Sequence, residues 1–176
     1  MHVMKRSEIT YPDNFMPYVK QVAEEDLAEA FIRQAPVIKH FLSSICEEAS
    51  HTVYTPGRWT VKEVLQHLID TERILSYRAL SFARGEAAML PGFDDGGYVA
   101  RSHANHRSWQ SLAAEFIAVR QSTQALFDSF TDDMLFAAGE AAGTLQTVAG
   151  IGFTILGHFY HHKKIVQIFG EAMVTV

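Results

Sequence analysis

The sequence predicts an all-α protein, a four-helix bundle, on three observations. Four stretches of roughly 20 residues carry apolar side chains at helical spacing. No stretch sustains the period-2 alternation of a strand, and the turn-forming residues fall between the four stretches. Helices of that length would each be about 30 Å long, the dimension of a small bundle. The 176 residues suit one domain, 1–176, with a bundle core over about 24–170 and an N-terminal extension, 1–23.

The first pattern runs from about Glu24 to Glu48, with Leu27, Phe31, Val37, Ile38, Phe41, Leu42 and Ile45 on its apolar side. Pro36 lies inside it and predicts a kink or a local break, because proline lacks the N–H and crowds the preceding turn. The second starts at Thr60, where Thr60 and Glu63 form the T-x-x-E capping box, and ends near Gly85. A long crossover loop follows, Glu86 to about Asn105, with Pro91, Gly92, Gly96 and Gly97; its length suggests a function. The third helix runs from about Ser108 to Ser129. Ala137–Gly143, rich in glycine and alanine, reads as a connection rather than an element. The fourth begins near Thr147, an N-cap type, and ends at Gly170; Gly150 and Gly152 predict a loose first turn.

Composition excludes several classes. Hydrophobic residues are 48% and charged ones 20%, a globular balance. The net charge of −5 without a basic cluster argues against nucleic acid, whose phosphates need a Lys/Arg stripe. No apolar run approaches the ~18 residues of a membrane span, and Met1–Pro17 lacks the apolar core of a signal peptide. The single cysteine, Cys46, cannot form an internal disulfide, which fits a reducing cytoplasm, and reads as an inert core thiol.

Position, not number, makes the histidines informative. At about 100° per residue, Ile151, Ile155, Phe159, Val166 and Phe169 form one stripe of the fourth helix. His158 and His162 fall inside that stripe, one turn apart, where two imidazoles can chelate one ion. His161 lies to the side. Burying two neutral imidazoles otherwise requires separate hydrogen-bond partners, so spacing alone leaves metal and structure open for the pair. On the second helix, whose stripe is Val61, Val64, Leu65, Leu68, Leu75, Ala79 and Phe82, His67 sits on the flank beside Val64, Thr71 and Ile74. A lone histidine there is more often a hydrogen-bonded core residue than a ligand. His2, His40, His51, His103 and His106 read as surface or helix-end residues.

Two motifs carry a resemblance. Tyr54 to Arg73, YTPGRWTVKEVLQHLIDTER, resembles the second-helix signature of the DinB/YfiT-like superfamily. Gly157 to His162, GHFYHH, resembles its fourth-helix G-H-x-x-H-H pattern, and Leu90–Asp94, LPGFD, is similar to a connection in one branch. The likeness runs from about residue 25 to 170. It implies a four-helix bundle of the DinB/YfiT-like type holding one divalent ion on His67, His158 and His162, with His161 at the family's non-ligand position. Family members include metal-dependent hydrolases and enzymes using low-molecular-weight thiols, such as bacillithiol transferases and mycothiol-dependent isomerases.

Three imidazoles leave a divalent ion with open positions, as in catalytic rather than closed structural sites. Such an ion lowers the pKa of water toward about 7 or ionises a thiol. Zinc and nickel suit the donor set best, with manganese or iron behind them. Hydrolysis also needs a proton acceptor; Phe159 stands where H-E-x-x-H would have its glutamate, so a zinc peptidase is disfavoured. The candidate acids are Asp70, Glu63, Asp94 and Asp95. Asp70, three residues past His67, either orients an imidazole or is a solvated surface acid. Glu72 projects from the apolar stripe of the second helix and needs a buried partner, for which Arg120 is the candidate. Trp59 reads as a packing anchor, and Phe93 and Tyr98 as a pocket cover or loop anchors. The expected function is a metal-dependent enzyme, a hydrolase or thiol S-transferase with a small-molecule substrate and a thiol cosubstrate in the second case. The alternative is a non-catalytic metal-binding stress-response bundle. A homodimer is the expected assembly.

Overall fold

The computed structural model describes residues 6–53 and 57–174, side chains excepted at 8 and 168–174. Tyr54, Thr55 and Pro56 of the second-helix signature, His2, and the side chain of Phe169 therefore lie outside the described residues. In chain order the helices are α1 (Met16–Val19), α2 (Leu27–Ser43), α3 (Glu47–Ser50), α4 (Val61–Ala83), α5 (Asp95–Arg101), α6 (Trp109–Asp128), α7 (Asp132–Phe136) and α8 (Val148–Val174). A hairpin of β1 (Ala138–Ala141) and β2 (Thr144–Thr147) leads into α8. The bundle is made by α2, α4, α6 and α8, with α4 and α2 each packed against both α6 and α8. Among the described residues, no helix is long and apolar enough to cross a membrane.

Local chemistry explains where the helices start. Asp26 caps α2 by accepting from Glu29 N at 2.7 Å, and Ser108 caps α6 by accepting from Ser111 N at 3.2 Å. At α4 both halves of the capping box form: Glu63 N donates to Thr60 Oγ1 at 3.1 Å, and Thr60 N donates to a Glu63 carboxylate oxygen at 2.8 Å. Thr147 accepts from Gly150 N at 3.1 Å, the N-cap role its position predicts.

Several expectations are corrected. Pro36 lies inside one unbroken helix, α2. It sits on the solvent side with Ile32, so the Ile32 carbonyl that loses its helical donor faces water rather than the core. The first pattern ends at Ser43, and Cys46 is exposed, its Sγ accepting from Ala49 N at 3.5 Å as the cap of α3. The crossover loop contains α5, and α8 continues past Gly170 to Val174. The Ala137–Gly143 connection holds a strand of the hairpin. Its strands are only four residues long, and its turn uses Ala142 and Gly143, both at positive φ. Tertiary contacts hold it: Leu90 N donates to Glu140 O at 2.9 Å, and Gly139 lies so close to Phe82 that a Cβ would come within 2.1 Å of the ring. The start of α8 is tight rather than loose. Gly150 is pressed against Thr10 O, and Gly152 against Phe127 and Leu27.

The core is two apolar clusters. One contains Phe31, Leu75, Phe82, Ile151, Phe153 and Leu156; the other contains Ile38, Leu65, Ile69, Leu112, Phe116 and Phe159. Between them, at mid-height on α2, α4 and α6, lies a buried polar layer of Gln34, Glu72 and Arg120. Arg120 donates to both Glu72 oxygens at 2.8 Å and also to Gln34 Oε1, while Gln34 Nε2 donates to Leu156 O at 2.9 Å. The Glu72–Arg120 pairing expected from the sequence is thus formed, with every charge matched as burial requires.

Candidate metal centre

Just above that polar layer, α4 and α8 face each other through three histidines. His67 projects from α4, and His158 and His162 project from successive turns of α8. All three are buried. The Nε2 of His158 lies 3.0 Å from that of His67 and 3.1 Å from that of His162. One nitrogen from each ring falls within 4.8 Å of the others.

Burial sets their charge. Desolvation drives the His67 pKa from 6.5 to about 4, against a raising effect of the Asp95 charge. Desolvation, with the neighbouring imidazoles, brings His162 to about 3 and holds His158 well below 6.5. All three are therefore neutral at pH 7, the form in which imidazole binds a metal.

The cluster fits a divalent cation on its own terms. Neutral rings cannot all donate to one another through Nε2: His158 Nε2 faces two rings with one proton or one lone pair to offer, whereas a cation among the three satisfies every lone pair. The low pKa values oppose a proton in that role. Metal–nitrogen bonds of about 2.0–2.1 Å imply donor separations of roughly 2.9 Å at a right angle and 3.3 Å at a tetrahedral one, which bracket the two contacts to His158. The His67–His162 pair, within 4.8 Å, would need to lie no more than about 4.2 Å apart on one ion. Behind the ligand atoms, His67 Nδ1 meets Thr71 Oγ1 at 3.4 Å, while His162 Nδ1 is buried with no hydrogen-bond partner among the described residues.

Aromatic side chains wall the cluster. Trp59, immediately before the α4 cap, packs its ring 4.8 Å from that of His67. Tyr18 of α1 sets its ring edgewise at 5.2 Å from His158 and 5.1 Å from His161. Gly157 makes this possible: a Cβ there would lie 2.0 Å from Tyr18 O, so only glycine lets α1 approach α8 this closely.

The four candidate acids separate clearly. Glu63 is used in the α4 cap. Asp70 accepts from Gln66 Nε2 at 2.9 Å and belongs to a charged edge with Arg73, Arg107 and Glu115; it makes no hydrogen bond to an imidazole among the described residues. Asp94 caps α5 by accepting from Gly97 N at 2.9 Å. Asp95 is different, for its charge acts on both His67 and Tyr18. His161, half-buried, stands beside His162 without joining the converging set. His103 and His106 stack on each other at 5.7 Å, exposed, and His40 and His51 are exposed as well. Phe93 and Tyr98 pack against each other, ring centres 5.6 Å apart, with Tyr98 exposed. A hollow of about 390 Å³ lined by Leu80, Ser81, Arg84, Gly85 and Glu86 lies at the far end of α4 and contains none of these residues.

Tyr18 is the site residue that sequence reasoning missed. Its signal was the pair Val19 and Val22, both fully buried, in a segment too short and charged to register as an amphipathic helix.

The family model of the DinB superfamily matches residues 30–166. This chain belongs to the DinB superfamily. No curated protein matches it. Among solved structures, this DinB-superfamily chain is similar to YfiT from Bacillus subtilis, described as a probable metal-dependent hydrolase with an unusual four-helix bundle topology. The TM-score is 0.72 at 15% identity, covering 94% of this chain and 91% of that one. It is also similar to a mycothiol-dependent maleylpyruvate isomerase, with a TM-score of 0.64 at 11% identity, covering 89% of this chain and 61% of the other. At these identities the likeness shows a shared fold.

Proposed function

We propose that this protein is a metal-dependent enzyme, a hydrolase of a small molecule, with its divalent ion held by His67, His158 and His162. The observation that carries the reading is the convergence of three buried, neutral Nε2 atoms from two helices. When bound, such an ion supplies Lewis acidity to a substrate atom in its remaining coordination positions. The chain's own residues do the rest. Thr71 steadies the His67 ring, and Trp59 and Tyr18 exclude water from two sides. Asp95, exposed on the first turn of α5 and carrying a charge felt at His67, is the acid we assign as proton acceptor. Zinc and nickel suit the three-imidazole set best.

Transfer of a low-molecular-weight thiol is the second reading. It is supported by the mycothiol-dependent isomerase sharing the fold, and by the suitability of an open Lewis-acid site for ionising a thiol.

Elemental analysis of protein purified without a metal-affinity tag, followed by turnover assays on esters, amides and thiol-acceptor pairs, tests both. Metal bound by the wild type and lost in His158→Ala, with metal-dependent ester or amide cleavage, supports the hydrolase. Thiol-dependent turnover alone would move the assignment to the transferase. Metal binding without any turnover would leave a non-catalytic bundle.

A further inference from the structure

The buried layer beneath the histidines is more than one ion pair: its hydrogen bonds run through all four bundle helices. Glu72 of α4 accepts two bonds of 2.8 Å from Arg120 of α6. Arg120 also donates to Gln34 Oε1 of α2, and Gln34 Nε2 donates to Leu156 O of α8 at 2.9 Å. All three side chains are buried. The Arg120 guanidinium lies over the Phe31 ring at 5.9 Å and the Phe116 ring at 5.5 Å. Two-point pairing and two ring faces together fix its position and its plane.

Both ends of this chain of bonds lie next to ligands. Glu72 directly follows Thr71, whose Oγ1 is 3.4 Å from His67 Nδ1. Leu156 stands two residues before His158. The chain therefore ties α4 to α8 by a path through α6 and α2, while His67 and His158 converge directly across the seam. Apolar side chains of the same volume would serve folding about as well. They are non-directional, however, and would let the two helices slide or turn against each other. Hydrogen bonds hold a length and a direction. A metal site needs that, because its ligand distances are met to within about 0.2 Å.

We propose that Gln34, Glu72 and Arg120 are positioning residues of the metal centre, setting the separation and rotation of α4 and α8 at which His67, His158 and His162 converge; this rests on the metal reading above. They touch neither the ion nor its ligands and act through the two helices that carry the histidines.

Cobalt(II) is the probe, because its visible absorption bands report coordination geometry in the folded protein whatever the folding stability. Combining Gln34→Met, Glu72→Met and Arg120→Met removes every bond of the chain and leaves none of its side-chain polar groups buried and unpaired. The triple variant is expected to unfold in urea close to wild type. It is expected to bind cobalt about tenfold more weakly in competition with a chelator, and with altered bands. Should it not fold, Gln34→Met alone, which cuts the links from α2 and leaves the Glu72–Arg120 pair, decides by the same bands. Wild-type bands in the folded variant would overturn the proposal and leave the metal reading standing. Failure of the wild type to take up cobalt, or equal uptake by His158→Ala, would overturn the metal reading and the proposal with it.

Discussion

The Nε2 atoms of His67 and His158, 91 residues apart in the chain, lie 3.0 Å from each other in the buried seam between α4 and α8. Two neutral rings at that distance can share one hydrogen bond. With His162 Nε2 at 3.1 Å on the other side of His158, a third ring competes for the same atom. The seam is thus built for a cation and is poorly satisfied without one.

Removing one ring should abolish the centre. His67→Ala and His158→Ala are each expected to lose stoichiometric metal, measured by elemental analysis after dialysis. Thr71→Val, which removes the contact to His67 Nδ1, should keep the metal but weaken it by about tenfold.

Acid should destabilise the metal-free protein through these same rings. The unfolded chain takes up protons at histidine near pH 6.5, whereas folded His67 and His162 resist until about 4 and about 3. The unfolded state therefore binds more protons below pH 6.5, and stability present above that value is lost as pH falls toward 4. Between pH 7 and 5 each ring costs on the order of 2 kcal/mol. Urea melts at the two pH values should show the loss, and His162→Gln should reduce it by about one ring's share.

The polar layer should behave as a buried pair. Arg120→Ala leaves Glu72 charged and unpaired, a cost of about 3–5 kcal/mol, while a double replacement of Glu72 and Arg120 by apolar residues of similar volume should recover most of it. Denaturant unfolding of the three variants decides this; equal losses in the single and double variants would contradict it.

Glu63 should prove to be a cap and not a catalyst. Thr60→Ala is expected to cost about 1 kcal/mol, and Glu63→Gln less, with metal content and turnover unchanged in the latter. A collapse of turnover in Glu63→Gln would return it to the candidate bases.

Gly157→Ala should separate α1 from α8, since its Cβ would meet Tyr18 O at 2.0 Å. Increased proteolysis near Met16–Val19 together with a lower melting temperature is the expected pair of results.

α2, α4 and α6 were legible because each is amphipathic along its own length and carries its own start signal, as the Thr60–Glu63 box shows for α4. α8, buried on every face from Val148 to Phe159, was legible from its long apolar run between Thr147 and Gly170. His158 and His162 were legible for the same reason: two residues four apart share a face whatever the rest of the fold does. His67 came from the family resemblance, since one histidine on a flank has no local signature of a ligand.

Other features depended on contacts between segments far apart in sequence. The hairpin before α8 has strands too short to alternate and is held by Leu90 and Phe82. Tyr18 enters the site only because a glycine 139 positions later, Gly157, lacks a Cβ. Asp70, Glu63, Asp94 and Asp95 are equally acidic on paper, and what each carboxylate faces in space separated them. Periodicity and capping are local and determine which residues form helices. Which carboxylate's charge is felt at His67 depends on how those helices and loops pack, and that is decided only in three dimensions.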